Sequence, residues 1–394
     1  MLIRTVRLNR GVLNTFTYPN VRRIDLRALR GNLTAVRRYL PAGTRVLAVL
    51  KADAYGHGML PSAHAVCEAG ADMIGVAAAD EGVALREGGV TLPVLVLGPA
   101  MRQSACEAVK HGLTMTVCSP DMVAWLEEAA AKAGKTVHVH LKIDTGMNRI
   151  GCRNEEEVAA MLRALDNAPH VRLTGAFTHF ADADGDDDGF TKAQLARFTE
   201  LAAMLPEGVI RHCANSAAAL RLPEAALDMV RIGLALYGYA PVETDVQLER
   251  CMTWETDVTF VKEVHKGESV SYGCTFTADR TMRAATIACG YGDGYHRAAS
   301  GQAEVLIGGR RCRILGRICM DQMIADVTDV PDCRPGDRAV LMGRMGDECI
   351  TAEDIARWAG TIPYEILLAA TGRVRRIFEG GGQTDEYSPE NERK

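Results

Sequence analysis

With 394 residues and a net charge of −5, the chain is long enough for two domains or for one barrel with an addition, and no stretch concentrates Lys and Arg, which argues against nucleic acid as its main partner. Its 12 cysteines are scattered, with no C-x-x-C pair and no zinc-spaced His/Cys cluster, so no metal site is expected and the thiols read as those of a reduced, cytoplasmic protein. No apolar h-region follows Arg4, Arg7 and Arg10, and no apolar run is long enough to span a bilayer, so no membrane partner is expected.

Residues 1–20 carry no clear period and read as a strand or an arm stopped by Pro19-Asn20. Arg22 to Leu40 reads as a helix, with Ile24, Leu26, Leu29, Leu33, Val36 and Leu40 mostly at helical spacing, ended by Pro41-Ala42-Gly43. A rhythm then begins. Candidate strands fall at 45–52, 72–77, 93–98, 113–118, 137–144, 173–180, 209–214 and 229–236, separated by helical segments such as 79–88, 101–111, 120–133, 154–166 and 191–205. Strands alternating with helices imply an α/β fold with a parallel sheet, and eight units suit a (β/α)8 TIM-type barrel. An open doubly wound sheet is the alternative; no G-x-G-x-x-G follows an early strand, so its dinucleotide-binding form is disfavoured.

Beyond about Gly238 the helical period fades. Short β-prone runs at 256–264, 269–272, 283–287, 303–307, 311–314, 322–326 and 338–342 are separated by Gly- and Asp-rich turns, and one helix, 351–359, starts at the N-cap Thr351. The expected domains are a barrel over 15–245, a mostly β domain over 246–380 joined by residues 1–14, and a tail over 381–394.

In such a barrel, function gathers at the carboxyl ends of the strands. There lie Lys51 and Tyr55, then Lys142, Asp144 and Arg149, then His179, then Asn215 and Ser216, then Arg231, Gly233 and Leu234. Each has a structural reading as well. Lys51 ends a buried apolar strand and either reaches solvent or acts as a nucleophile toward carbonyls. Lys142 and Asp144 read as an ion pair, Arg149 as a surface cation, His179 as a core histidine, Asn215-Ser216 as a helix cap and Gly233 as a site of close packing. A helix start with a hydroxyl also binds phosphate. Their convergence at one end of the barrel favours a ligand site.

The segment Ala48-Val49-Leu50-Lys51-Ala52-Asp53-Ala54-Tyr55-Gly56-His57-Gly58 resembles the pyridoxal-phosphate motif of alanine racemases. The resemblance continues through 144–149, Thr178-His179-Phe180, Ala214-Asn215-Ser216, Val230-Arg231-Ile232-Gly233, Val270-Ser271-Tyr272-Gly273, 290–294 and Cys319-Met320-Asp321-Gln322, in the family's order, over about residues 20–378. It implies a (β/α)8 barrel with a C-terminal β domain, a homodimer sharing its active site, pyridoxal 5'-phosphate as cofactor, and a small amino acid as substrate. The implied reaction interconverts L- and D-alanine and supplies D-alanine for cell-wall peptidoglycan.

The resemblance further implies that Lys51 forms the Schiff base with the cofactor and serves as one catalytic base. Tyr272, from the partner subunit, is the other; a phenol is a weak base at neutral pH unless neighbours favour its anion, and His179 and Arg231 belong to that polar network. Arg231 faces the pyridine nitrogen. A guanidinium only donates, so that nitrogen stays unprotonated and the electron sink is weakened, which favours racemisation over decarboxylation. Tyr55, Asn215, Ser216, Gly233 and Leu234 correspond to cofactor contacts, Arg149 and Met320 to substrate contacts, and Tyr291 to a gate. Lys142 matches a lysine that is carbamylated in some members. One departure stands out: Gly372 replaces a tyrosine carried by several members, which opens the alternative of a serine or broader-specificity racemase. A barrel amino-acid decarboxylase, a cofactor-carrying barrel without enzymatic activity, and the catalytic part of a membrane-attached racemase are the rival readings.

Overall fold

Alternating buried apolar strands and amphipathic helices close the first part of the chain into a barrel. The structure, a computed structural model, describes residues 18–381 and the backbone of 386–387; the expectations for 1–17, including residues 1–14 as part of the β domain, and for most of the tail at 381–394 lie outside the described residues. Packing separates two units, one built on Ile24–Cys251 and the other on Met252–Ile377.

The chain enters through strand β1, Val21–Asp25. The barrel strands follow as β2 (Arg45–Val49), β3 (Met73–Val76), β4 (Val94–Pro99), β5 (Thr114–Val117), β6 (Val137–Lys142), β7 (Val171–Phe177), β8 (Ile210–His212) and β9 (Met229–Ile232). All neighbours in the order β8-β7-β6-β5-β4-β3-β2-β9 pair in parallel. The ends meet where Asp228 N–H donates to Arg211 O (3.1 Å) and Arg231 N–H to Ala214 O (3.0 Å), so the sheet closes on itself. Val46 to Leu50 are all buried, as expected of a strand covered on both faces.

The eight strands expected from the periodicity are present. The helix expected from Arg22 is corrected: residues 21–25 are β1, and the helix spans Leu26–Tyr39. Asp25 sets the boundary, because its carboxylate caps the N–H groups of Arg27 (2.8 Å) and Ala28 (3.3 Å). Two helices had no sequence assignment, Met59–Glu68 and Pro363–Leu368.

The second unit is built from β10 (Met252–Val264), β11 (Ser269–Val270), β12 (Phe276–Thr277), β13 (Met282–Ile287), β14 (Glu304–Ile307), β15 (Arg310–Arg313), β16 (Met323–Asp326), β17 (Arg338–Met345), β18 (Glu348–Ile350), β19 (Arg375–Glu379) and β20 (Glu386–Tyr387). The long strand β10 runs antiparallel to both β13 and β17 and organises the sheet. The helix Ala352–Ala359 starts at Thr351, whose hydroxyl accepts from Asp354 N–H (3.1 Å), while the Asp354 carboxylate accepts from Thr351 N–H (3.0 Å). Among the described residues no helix is long and apolar enough to cross a membrane, no His/Cys/Asp/Glu group could hold a metal, and all 12 cysteines are free thiols.

Candidate active site

Lys51 follows β2 directly, and the chain leaves it in an unusual way. Ala52, Asp53, Ala54 and Tyr55 all have φ between 52° and 54°, one left-handed turn of four non-glycine residues. Each such residue costs about 1–2 kcal/mol. Hydrogen bonds hold the turn: Ala54 N–H to Leu50 O (2.8 Å), Ala52 N–H to Glu81 Oε1 (2.7 Å) and Met59 N–H to Asp53 Oδ1 (2.7 Å). The turn brings the Tyr55 hydroxyl against Gly233, where an added Cβ would lie 2.8 Å from the hydroxyl oxygen. Ser216 stands on the other side of Gly233: its Oγ accepts from Gly233 N–H (3.0 Å) and Ala235 N–H (3.3 Å). Asn215 caps the short helix Ser216–Arg221 by accepting from Ala218 N–H (3.0 Å), and Leu234 is buried beside Gly233. Tyr55, Ser216 and Gly233 therefore meet in one cradle.

Arg231, on β9, is buried at 4 % exposure and charged. Nη1 donates to His212 O (3.0 Å) and His212 Nδ1 (3.1 Å), and Nη2 to Thr178 O (2.8 Å), Cys213 O (2.9 Å) and His179 Nδ1 (3.2 Å). Nε has no partner among the described residues and remains available as a donor. Because Arg231 can only donate, His179 Nδ1 must accept, and His179 carries its proton on Nε2. Burial and then the Arg231 charge bring His179 down to about 3, so the ring is neutral.

Burial, and then neighbouring charge, sets the state of Lys51. Burial lowers the Lys51 pKa, the Arg149 and Arg231 charges add to this, and Glu81 opposes it. A depressed amine is a better nucleophile at neutral pH. Burial likewise brings Lys142 down to about 8 against the pull of Asp144. The expected Lys142–Asp144 ion pair does not form. The Asp144 carboxylate instead accepts from the N–H groups of Gly146, Asn148 and Arg149, each at 3.0 Å, and Lys142 Nζ donates to Ile143 O (2.6 Å). Three backbone donors presented by one tight loop satisfy the carboxylate more completely than a single ammonium would. Arg149 leaves that loop exposed.

Tyr272, Tyr291 and Met320 belong to the second unit and are 69 %, 40 % and 52 % exposed. The loop bearing Tyr291 is laced to the one bearing Met320, with Tyr291 N–H donating to Cys319 O (3.0 Å) and Gly292 N–H to Met320 O (2.7 Å). Ser271, beside Tyr272, contacts Cys319, Oγ to Sγ 3.4 Å. These three sequence-expected residues thus lie on loops that contact one another. Sequence reasoning did not single out His140 or Phe177; the signal was present, since an isolated glycine within a strand, Gly175, marks a close approach.

A barrel whose strand ends gather a desolvated lysine, a donor-only arginine and a small polar cradle has the arrangement of an enzyme's ligand site. Residues 24–241 match the profile of the alanine racemase N-terminal domain, and 251–378 that of the alanine racemase C-terminal domain. The chain is 43 % identical over 93 % of its length to the alanine racemase of Symbiobacterium thermophilum, covering 98 % of that protein. It shares a TM-score of 0.88 and 35 % identity with the solved alanine racemase of Clostridium difficile 630, over 94 % of this chain and 98 % of that one. A histidine racemase from Leuconostoc mesenteroides superposes with a TM-score of 0.85 at 29 % identity, over 93 % and 100 % of the two chains. The chain belongs to the alanine racemase family, a family of isomerases.

Proposed function

We propose that the protein is a pyridoxal 5'-phosphate-dependent racemase that interconverts L- and D-alanine, supplying D-alanine for peptidoglycan, and that it works in the cytoplasm as a homodimer with shared active sites. The observation that carries this reading is the gathering, at the carboxyl ends of the barrel strands, of Lys51, the Tyr55–Ser216–Gly233 cradle and Arg231, whose Nε is the one donor its network leaves over. The residues present fit the cofactor. Tyr55, Ser216, Asn215 and the Gly233-Leu234 backbone would hold its phosphate in the cradle that a Cβ at Gly233 would fill. Lys51 would anchor it covalently, and Arg231 would face its ring nitrogen. When bound, the cofactor draws electrons from the substrate's Cα–H bond.

Lys51 would take or return the Cα proton on one face of the bound substrate, and Tyr272 of the partner subunit would do so on the other. His179, with its proton on Nε2, is a donor and not a base, which suits it to stabilising a phenolate. Arg149 and the Met320 backbone orient the substrate, and Tyr291 gates its entry. The Lys142 amine, part-neutral near pH 8, is in the form that reacts with carbon dioxide, and its carbamate would place an anion near Arg149. Clear density for an unmodified Lys142 would count against that modification.

The test is a racemisation assay with added cofactor across alanine, serine, lysine and arginine. Alanine is expected to turn over best. Release of carbon dioxide without racemisation would support the decarboxylase instead. One observation favours broader specificity as a second reading: a Cβ at Gly372 would meet nothing within 4 Å. Turnover of L-serine equal to or faster than that of L-alanine would establish it, and strict alanine specificity would exclude it.

A further inference from the structure

Strand β6 carries His140 into the barrel interior two residues before Lys142, and the ring is fully buried. Its Nδ1 lies 2.9 Å from His212 Nε2, and His212 Nδ1 lies 3.1 Å from Arg231 Nη1. The direction of this chain is forced. Arg231 has only protons to give, so His212 Nδ1 accepts and His212 keeps its proton on Nε2. That N–H donates to His140 Nδ1, and His140 carries its own proton on Nε2. The last N–H finds no acceptor among the described residues.

The fold makes room for this ring at some cost. Strand β7 is irregular opposite His140: Val139 pairs with Leu173, but His140 pairs with Gly175, so Thr174 is bulged out. Without the bulge, Thr174 would face the ring. A Cβ at Gly175 would lie 2.5 Å from both Cε1 and Nε2 of His140. An apolar side chain at position 140 would leave the His212 Nε2–H without an acceptor; the histidine accepts it and moves the unpartnered N–H one ring further from Arg231, which filling the space alone would not require. His212 is further fixed by stacking on Phe177 (centroids 4.9 Å, 10°) and gives Arg231 two acceptors, Nδ1 and its carbonyl. Moving His212 therefore moves Arg231.

We propose that His140 is a positioning residue for the reaction: as the terminal acceptor of a one-way chain from Arg231 through His212, it holds the guanidinium in place against the cofactor ring. The proposal rests on the reading that Arg231 faces that ring. Burial keeps both histidines neutral, His140 down to about 3 and His212 well below its ordinary value, so the chain keeps its direction at neutral pH.

The direction is tested on cofactor-free protein labelled with ¹⁵N-histidine. Nδ1 of His140 and of His212 should be unprotonated and both Nε2 atoms protonated; a proton on either Nδ1 overturns the chain. This measurement is independent of racemisation, so a wild-type protein that shows these tautomers but does not racemise would defeat the cofactor reading and not the chain. The role is tested in the holoenzyme with His140→Leu and His140→Asn. Asn places an acceptor where Nδ1 stands, whereas Leu only fills the space. The expected result is a kcat lowered by roughly tenfold or more for Leu, with KM within about twofold, and most of the loss recovered by Asn. Leu exchanges one unpartnered N–H, His140 Nε2, for another, His212 Nε2, so its unfolding temperature should stay close to that of wild type. If His140 is only a filler, Leu matches or exceeds Asn in kcat, and the proposal fails. Gly175→Ala, which pushes the ring aside, should lower kcat in the wild-type background but add nothing to His140→Leu; additive losses would contradict the proposal.

Discussion

At the residue scale, the site works by limiting which atoms can hold a proton. Arg231 donates in every direction, which makes acceptors of His179 Nδ1 and His212 Nδ1 and leaves both rings neutral. Lys51 is pushed toward its neutral, reactive form by burial and by the Arg149 and Arg231 charges. The cradle residues separate two kinds of role. Ser216 Oγ satisfies two buried N–H groups, so Ser216→Ala should lower both cofactor affinity and stability, the latter by about 1–3 kcal/mol. Tyr55→Phe removes the hydroxyl that lies against Gly233 and should weaken cofactor binding. Titrating cofactor into each apo-variant would check the pair, and an unchanged affinity in either would contradict the cradle.

At the element scale, the left-handed turn Ala52–Tyr55 is the costly piece of backbone, placed directly after Lys51. Ala52 is exposed at φ 52°, so its strain can be relieved without opening a cavity. Ala52→Gly should be neutral or stabilising by up to about 1 kcal/mol, whereas Ala52→Val should destabilise. Chemical denaturation of both variants checks this, and a destabilised Ala52→Gly would mean that the turn is not strained. The strands were legible because each is a short apolar run between helical segments. This turn was not, since Ala-Asp-Ala-Tyr carries no glycine and no local sign of positive φ. The start of the first helix was misread because Ile24 and Leu26 fit a helical period as well as a strand; the Asp25 cap decides between them.

At the scale of the whole molecule, three histidines are held neutral in the barrel, His140 and His212 buried and His179 half-buried. Burial brings His140 and His179 down to about 3 and His212 well below the ordinary 6.5. In the unfolded chain they take up protons as pH drops through 6.5. The stability carried by their neutral burial is therefore fully present above 6.5 and is lost progressively as pH falls toward 3. Unfolding temperatures measured from pH 7 to pH 5 should fall steadily, with up to three protons taken up per unfolding event, and by one fewer in His140→Leu. A flat profile over that range would contradict the neutral assignment. The barrel, the β unit and most strand-end residues could be read from period and motif. The Arg231–His212–His140 chain could not, because it joins three strands whose contact depends on a one-residue bulge in β7.

The central claim is that Lys51 and Tyr272 act on opposite faces of one substrate. The most direct test is Cα–H exchange in deuterated water, catalysed by Tyr272→Phe and started separately from L- and D-alanine. The two-base account predicts that one enantiomer still exchanges, through Lys51, while exchange of the other and racemisation are both largely lost. Exchange of both enantiomers at wild-type rates, with racemisation intact, would contradict it.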